Sequence, residues 1–414
     1  MNIELDLFKL KETLKALSKL KCNLFLTGIV TKTVRNTITF SKSNSDTTMN
    51  ISLDCISYGG DERFVLPSGI VELIKKIKED NLTLMDNQIK AGNKIIKFSA
   101  TGPSQPEDLF RGDLLFTTTE KELHRMLEVK YAMAQDDTRP TLCGLFFNNN
   151  ETCAIDGYRV SVRKGNYESS AKFVLNKNTV EILDSTLDYK SDNEVHVYTD
   201  DKQENVKFEI GNIEIVGKIL QGEFIKYKNI IPEEHFYVSI IDMGKLKNEL
   251  EFINGVKTKH IQLNFTENKL TLLTSQCKEE FDKQTSEIKT KELQVQAHND
   301  YKEKYNIWAT KKAKAEKNKK EFKLKCPEEK NIKVQKVYSL VPVADIKIEV
   351  DCDTKFDDSS KSEFRIAVNS KYLSECLKTY TDKVEFRMSA CVNPIVITQD
   401  GDNLEMVLPI RIRS

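Results

Sequence analysis

The apolar residues of this chain follow a pattern of short strands and amphipathic helices that is repeated three times. Each copy contains an apolar strand, a Pro or Asn break, and a helix with apolar residues on one face. These strand–helix segments cover residues 64–74, 173–183 and 365–377. Repetition of one unit along a chain predicts repeated domains rather than one continuous fold.

A second helix precedes each segment, and strand-like alternation follows it. The preceding helices have leucines at helical spacing on one face: Leu10, Leu14 and Leu17; Leu123 and Leu127; Leu246 and Leu250. Asn176 and Asn369 are predicted to cap their helices, and Ser68 to help cap the first. The pattern predicts an α+β fold in which each domain packs two helices on antiparallel sheets. The predicted domains span 1–111, 112–233 and 234–414.

The third copy is longer than the others by about 66 to 70 residues, which predicts an insertion at about 278–342. This segment has 17 lysines and 11 acidic residues, a net charge of +6, whereas the rest of the chain carries −6. Few turn-forming residues occur between 286 and 325, which predicts one or two long solvated helices. Two interpretations stay open: a charged surface excursion, or an extra contact with nucleic acid or a partner.

Composition narrows the class of protein. Lys plus Arg and Asp plus Glu both number 63, so the chain is formally neutral, and 39% of its residues are hydrophobic. Nine cysteines without a CxxC motif are typical of a reducing cytoplasm. The acidic N-terminal segment does not resemble a signal peptide, and no apolar stretch is long enough to predict a membrane span.

The sequence contains no recognisable catalytic motif. It lacks a Walker loop, a GxGxxG motif and an HExxH motif. The five histidines lie far apart, without metal-ligand spacing. Asp136 and Asp137 are adjacent, and adjacent side chains in an extended segment point to opposite faces. We therefore predict no metal, no cofactor and no catalytic activity.

Basic residues recur on one helix of each predicted domain. Such stripes suit contacts with the DNA backbone, which need no reading of bases and permit sliding. The predicted DNA-binding residues are Lys11, Lys15, Lys19, Lys121, Arg125, Arg139, Lys245 and Lys247.

Three stretches resemble the bacterial DNA polymerase III beta subunit family. Residues 133–147 and 154–160 are similar to the family's middle domain, where a turn reads Thr-Asp-Gly-His-Arg-Leu. Residues 406–412 are similar to its terminal apolar-Met-Pro-Met-Arg-Leu segment. The resemblance implies a head-to-tail dimeric ring of clamp-type domains, with helices lining the hole. It also implies double-stranded DNA, a DNA polymerase catalytic subunit, a clamp loader and a second copy of the chain as partners.

The resemblance further implies a hydrophobic cleft between domains two and three that binds a partner peptide. The matching positions are Leu142, Ile155, Gly157, Tyr158, Arg159, Val160, Ile225, Asn229, Ile230, Asn369, Tyr372, Val392, Pro394, Met406, Val407, Leu408, Pro409, Ile410 and Arg411. Apolar side chains would bury those of the peptide, and Arg159, Asn369 and Tyr372 would hydrogen-bond its backbone.

Some positions depart from the family pattern. Tyr158 replaces the usual His, Ile225 the usual Pro and Asn229 the usual Arg. Leu408 and Ile410 replace methionines, so we expect the preferred peptide to differ. Phe252 and Ile253 match positions at the family's subunit interface.

The favoured hypothesis is a cytoplasmic DNA sliding clamp, a processivity factor that encircles duplex DNA and tethers a replicative polymerase. The alternative hypothesis is a nucleic-acid-processing enzyme, or its regulatory subunit, that acts through the lysine-rich insertion. Retention on circular DNA that is lost on linearisation favours the clamp. A catalytic activity that depends on Asp136 or Asp137 favours the alternative.

Overall fold

The computed structural model describes most of the chain. The described residues are 2–21, 28–57, 62–85, 87–99, 110, 112–136, 138–256, 258, 260–317, 325–328, 335–358, 360–399, 401 and 403–411. Asp137, Ile412 and parts of the predicted insertion at 318–324 and 329–334 lie outside them.

The chain follows one motif throughout: a strand, a helix and then three antiparallel strands. The first part contains β1 (Asn2–Asp6), α1 (Leu7–Ser18), β2 (Ile29–Val34), β3 (Thr37–Ser43), β4 (Thr47–Asp54), β5 (Ile56–Ser57), β6 (Glu62–Leu66), α2 (Ser68–Ile74), β7 (Asn81–Met85), β8 (Gln88–Ala91) and β9 (Lys94–Lys97). The second contains β10 (Gly112–Thr119), α3 (Glu120–Leu127), β11 (Leu145–Asn148), β12 (Glu151–Ile155), β13 (Arg159–Lys164), β14 (Lys172–Leu175), α4 (Lys177–Thr186), β15 (Glu194–Asp200), β16 (Asn205–Ile210) and β17 (Ile213–Lys218).

The third part contains β18 (Tyr237–Asp242), α5 (Met243–Asn254), β19 (Ile261–Thr266), β20 (Lys269–Phe281), α6 (Lys283–Lys317), β21 (Tyr338–Phe356), β22 (Glu363–Val368), α7 (Ser370–Leu377), β23 (Lys383–Met388), β24 (Ile395–Gln399) and β25 (Asn403–Val407). Short 3-10 turns lie at Glu128–Ala132, Pro140–Cys143 and Tyr227–Ile230. Apart from β5 and α6, each part consists of two strand–helix–three-strand units, so the sequence repeat of three resolves into six half-units. The predicted domain boundaries stay a prediction.

The helices form where the sequence pattern predicts them. The leucines at positions 10, 14, 17, 123, 127, 246 and 250 are all buried. Asn176 and Asn369 cap α4 and α7 by accepting hydrogen bonds from backbone N–H groups. The prediction for Ser68 was wrong, because Ser68 is the first residue of α2 and Pro67 occupies the cap position without a side-chain bond.

Antiparallel sheets continue across the borders between the three parts. β4 pairs with β17, which joins the first and second parts in an eight-stranded sheet. β13 pairs with β25, which joins the second and third parts in a twelve-stranded sheet. Each of these two seams joins the last strand of a first half-unit to the last strand of a second half-unit. A five-stranded sheet, in the order β5-β1-β7-β8-β9, completes the first part.

The extra length of the third part enters at the hairpin between β20 and β21. Both strands are long, and their pairing runs from Lys269 with Asp351 to Phe281 with Tyr338. The single helix α6 follows, with 35 residues, which confirms the prediction of a long helix. The two ends of the predicted insertion lie outside the stretch predicted to be helical, and they form a strand ladder. This ladder has a register shift between Gln276 and Cys277.

Candidate functional site

A tight turn between β12 and β13 forms the centre of the predicted cleft. The Asp156 carboxylate accepts hydrogen bonds from the backbone N–H groups of Tyr158, at 2.9 Å, and Arg159, at 3.1 Å. Gly157 between them has a φ of +88°, a conformation that glycine adopts readily because it has no Cβ. The Tyr158 carbonyl accepts a 2.9 Å hydrogen bond from the Leu408 N–H. The turn and the end of β25 are therefore held side by side.

Large apolar side chains are exposed at several of the predicted cleft positions. Tyr158 and Val392 are about 60% exposed, and Ile230 is 45% exposed. Ile225 and Leu408 are each 36% exposed. Exposed apolar groups with polar neighbours are typical of protein–protein or ligand contact sites.

Other residues of the predicted cleft form its floor. Leu142, Ile155, Val160 and Met406 are buried in one apolar cluster that also contains Phe224. Val407 is fully buried in the core of the third part. These side chains hold the surface residues in position, and none presents more than 3% of its surface to solvent.

Arg159 makes several contacts within the chain. Its guanidinium donates to Asp156 at 2.9 Å, to the Tyr131 carbonyl at 2.8 Å and to Glu375. It also lies 4.5 Å from the ring centroid of Tyr372. Burial alone would lower the pKa of Arg159, but Glu375 and Asp156 raise it. Each of its three nitrogens makes a bond within the protein, so Arg159 fastens the second part to the third. Its contact with a peptide stays a prediction.

Asn369 is likewise used within the chain. Its side-chain oxygen accepts from the N–H groups of Lys371, at 3.0 Å, and Tyr372, at 3.3 Å. The predicted bond from Asn369 to a peptide backbone stays a prediction. The Tyr372 ring contacts that of Tyr158, with centroids 5.8 Å apart, and so forms one wall of the site.

The remaining predicted residues lie at the edges of the cleft. Ile410 is anchored by a 2.7 Å hydrogen bond from its N–H to the Ala367 carbonyl. Pro394 is half-buried just before β24, Pro409 is half-buried after β25, and Arg411 is exposed. Ile225 and Asn229 also line a separate cavity of about 840 Å³ beside β14. That both residues also line the predicted cleft stays a prediction.

Sequence reasoning missed a buried ionic network beneath the cleft. Arg163 and Glu405 are almost completely inaccessible and form a 2.6 Å ion pair between β13 and β25. Ser161 donates to the same carboxylate at 3.0 Å, and the Tyr131 hydroxyl also donates to it. Burial raises the pKa of Glu405, and Arg163 acts against that rise. The local sequence carried no signal for this network, because Glu405 alternates with the apolar residues Leu404 and Met406 as a solvent-facing residue would.

The predicted DNA-binding residues are not equivalent in the structure. Lys15 has 72% of its side chain exposed, with only a 3.8 Å contact to Glu12. Lys121 and Arg139 are also exposed. Lys11 and Lys19 donate to the carbonyls of Ile77 and Ser185.

Arg125, Lys245 and Lys247 are engaged within the chain. Arg125 pairs with Glu122 at 2.8 Å and donates to Asn403 of the third part at 3.1 Å. Lys247 donates to the Lys378 carbonyl at 2.9 Å. Lys245 lies 3.0 Å from Asp351, and Lys269 and Lys245 lower the pKa of that carboxyl to about 2. Arg125 in particular belongs to a junction between parts of the chain.

The two residues predicted at a subunit interface differ sharply. Phe252 is 57% exposed, whereas Ile253 is fully buried in the core of its own part. The prediction for Ile253 was wrong, because its side chain lies on the inner face of α5 with Leu246 and Leu250.

No group of three His, Cys, Asp or Glu side chains within the described residues could hold a metal ion. None of the described helices combines the length and the apolar character needed to cross a bilayer.

Comparison with known proteins points to one family. Residues 117–226 match the model for the DNA polymerase III beta subunit, central domain. A beta sliding clamp from Staphylococcus aureus is 22% identical over 430 residues, which cover 97% of this chain and 96% of that protein. The chain is therefore similar to the DNA polymerase III beta subunit family. The match to the family model lies in the second part, where the turn at 156–158 is found.

Solved structures of this family share the fold. A DNA polymerase sliding clamp from Pseudomonas aeruginosa superposes with a TM-score of 0.75 at 15% identity, with both chains fully covered. A sliding clamp from Bartonella birtlesii bound to griselimycin gives a TM-score of 0.74 at 14% identity, again with full coverage of both chains. The three-part α+β architecture of this chain is therefore that of a clamp.

Proposed function

We propose that this protein is a DNA sliding clamp: two copies close head to tail around duplex DNA and tether a DNA polymerase to it. The observation that carries the proposal is the repetition of one seam within the chain. Twice, the last strand of a first half-unit pairs with the last strand of a second half-unit. The same rule leaves one strand of each type without such a partner, one in the first part and one in the third. This is the condition for head-to-tail pairing of copies, which forms a ring when the rotation between subunits closes.

The strands that this rule leaves for the third seam are β9 and β21. Among the described residues, β9 pairs only with β8, and residues 344–350 of β21 pair only with β20. In the first internal seam, β17 pairs with β4, and β9 and β21 are the equivalents of these two strands. The same register would place Lys94 opposite Ile348 and Lys97 opposite Asp345 of the neighbouring subunit. The opposite charges of Lys97 and Asp345 favour this pairing of strands.

Side-chain exposure supports the same seam. Leu73 of α2 occupies the position of Ile182 in α4 and of Glu375 in α7. Ile182 is buried and Glu375 is bonded to Arg159 of the preceding part, whereas Leu73 is 44% exposed. Ile95 of β9 is 60% exposed. Closure of the ring would cover both apolar side chains.

The proposed clamp holds DNA by enclosure and backbone contacts. Exposed lysines such as Lys15 and Lys121 would neutralise phosphates without reading bases, which permits sliding. This role needs no catalytic group. We also propose that a clamp loader opens the ring, and that the protein acts in the cytoplasm, where free cysteines such as Cys153 stay reduced.

The cleft around Tyr158 and Leu408 is the proposed docking site for the polymerase. Its exposed apolar side chains would each contribute about 1.5–3 kcal/mol when a peptide buries them. The B. birtlesii clamp binds griselimycin, so this compound is a suitable probe for a clamp.

The decisive test measures retention of the purified protein on nicked circular DNA after loading. We expect retention at high salt on the circle and rapid loss after the DNA is cut, because a ring slides off a free end. Equal retention on both forms would overturn the proposal.

The cleft is tested separately with griselimycin. Leu408→Glu should weaken its binding at least tenfold, because a charge replaces an apolar contact. Val34→Glu, an exposed apolar position in the first part, serves as the matched control. Unchanged affinity of Leu408→Glu would show that the cleft lies elsewhere.

A further inference from the structure

The hairpins that precede the two internal seams share a contact. In the first seam, the turn between β3 and β4 lies on the start of α4. Asp46 accepts a 2.9 Å hydrogen bond from the Asn178 side chain, and its carbonyl accepts another, also 2.9 Å, from the Lys218 N–H. The buried hydroxyls of Thr47 and Thr179 lie 2.7 Å apart.

In the second seam, the turn between β12 and β13 lies on the start of α7. Tyr158 contacts the ring of Tyr372, and Arg159 bonds Glu375. In both seams, therefore, the second hairpin of a first half-unit packs against the helix of a second half-unit in the next part. The corresponding helix at the third seam is α2 of the neighbouring subunit.

The third part does not have a short turn at this place. Its hairpin carries the insertion, so the ladder at 277–281 and 338–342 and the helix α6 begin where the other two hairpins contact a helix. We propose that this arm is a clasp that binds α2 of a second copy of the chain. This inference rests on the proposed ring and adds a contact to it.

The part of α6 nearest to the hairpin has the surface that such a contact needs. Ser286 and Thr290 are buried, and they bond the returning backbone at Val337 and Gln335. Residues two apart lie on nearly opposite sides of a helix, so Ile288 faces away from both. Ile288 is 51% exposed, and Val295, seven residues further along the same face, is 61% exposed. Both can reach an apolar receptor such as Leu73.

Charge distinguishes this half of the helix from the other. Residues 283–300 contain three lysines and three acidic residues, whereas 301–317 contain six lysines and two acidic residues. A balanced, partly apolar surface is typical of a protein contact rather than of DNA binding. With 35 residues, the helix is about 50 Å long, enough to extend well across a neighbouring domain.

The test compares the full-length protein with Ile288→Glu/Val295→Glu by mass photometry over a dilution series. We expect the dimer dissociation constant of this variant to rise at least tenfold. The control is Ile307→Glu, an exposed apolar position in the far half of the same helix, which should leave the constant unchanged. Circular dichroism checks that each variant is folded.

A photo-crosslinking residue at position 288 gives a second readout. We expect it to capture residues 68–76 of the partner copy. A dimeric parent protein with unaffected variants, or capture only within the same chain, would overturn the clasp and leave the ring standing. A parent that stays monomeric at every concentration would overturn the ring itself.

Discussion

The two junctions within the chain have the same backbone pairing and opposite chemistry. Where β4 meets β17, the buried contact is a neutral pair of hydroxyls, Thr47 and Thr179. Where β13 meets β25, it is an ion pair, Arg163 and Glu405, with further hydrogen bonds around it. Strand pairing alone therefore builds a seam, and the side chains decide how strongly and how specifically it is held.

The difference in buried contacts corresponds to a difference in the surface that lies near each junction. The exposed apolar side chains of the candidate cleft lie over the charged junction. A buried ion pair penalises any shift of one strand against the other, because a separated charge would be left without a partner. We infer that the ionic junction keeps the cleft in register, whereas the neutral one has only to hold two domains together.

The largest expected effect comes from breaking the ion pair. Arg163→Met leaves the Glu405 carboxylate buried without its main partner, which should lower the free energy of unfolding by about 3–5 kcal/mol. Denaturant titration measures this loss. The double variant Arg163→Met/Glu405→Leu should recover most of it, because no unpaired charge then remains. A double variant as unstable as the single one would contradict this account.

The neutral junction should tolerate a comparable change far better. Thr47→Val removes one hydrogen bond, and Thr179 keeps its bond to Asn176 at 3.1 Å. We expect a loss of about 1 kcal/mol in the same denaturant titration. Thr37→Val, at an exposed position of β3, is the control. A loss as large as that of Arg163→Met would remove the distinction between the two junctions.

The smallest effect on stability is expected for a basic residue outside both junctions. Lys15→Ala should change the free energy of unfolding by less than about 0.5 kcal/mol. The substitution should instead weaken DNA binding. The slope of log affinity for DNA against log salt concentration should fall by about 1. Arg125→Ala, at the charged junction, should instead lower stability measurably. The reverse result would exchange the roles assigned to these two residues.

Much of the fold was predictable because buried apolar residues recur along the sequence with the period of a helix or of a strand. The leucines of α1, α3 and α5 and the N-caps of α4 and α7 illustrate this. The same reasoning could have corrected the interface prediction, since Ile253 continues the spacing of Leu246 and Leu250 and Phe252 does not. The repeat was harder to follow at single positions, because equivalent residues can differ in chemistry: Leu73 and Ile182 are apolar, whereas Glu375 is charged.

The candidate site was predictable in position but not in detail. The turn at 156–158 and the end of the chain were recognised by resemblance. Which residues of the site are buried depends on partners far away in sequence. Arg159 forms an ion pair with Glu375, and Arg163 forms one with Glu405. No local pattern reports such pairs, so the network beneath the cleft emerged only from the three-dimensional structure.

The insertion enters between two paired strands, at Phe281 and Tyr338. The two ends of an inserted polypeptide therefore have to lie only as far apart as neighbouring strands, about 5 Å. The hairpin is thus a natural grafting point: a fluorescent protein or an affinity domain could replace 283–335 without disturbing the sheets. Such a chimera would turn the clamp into a carrier of foreign cargo along DNA.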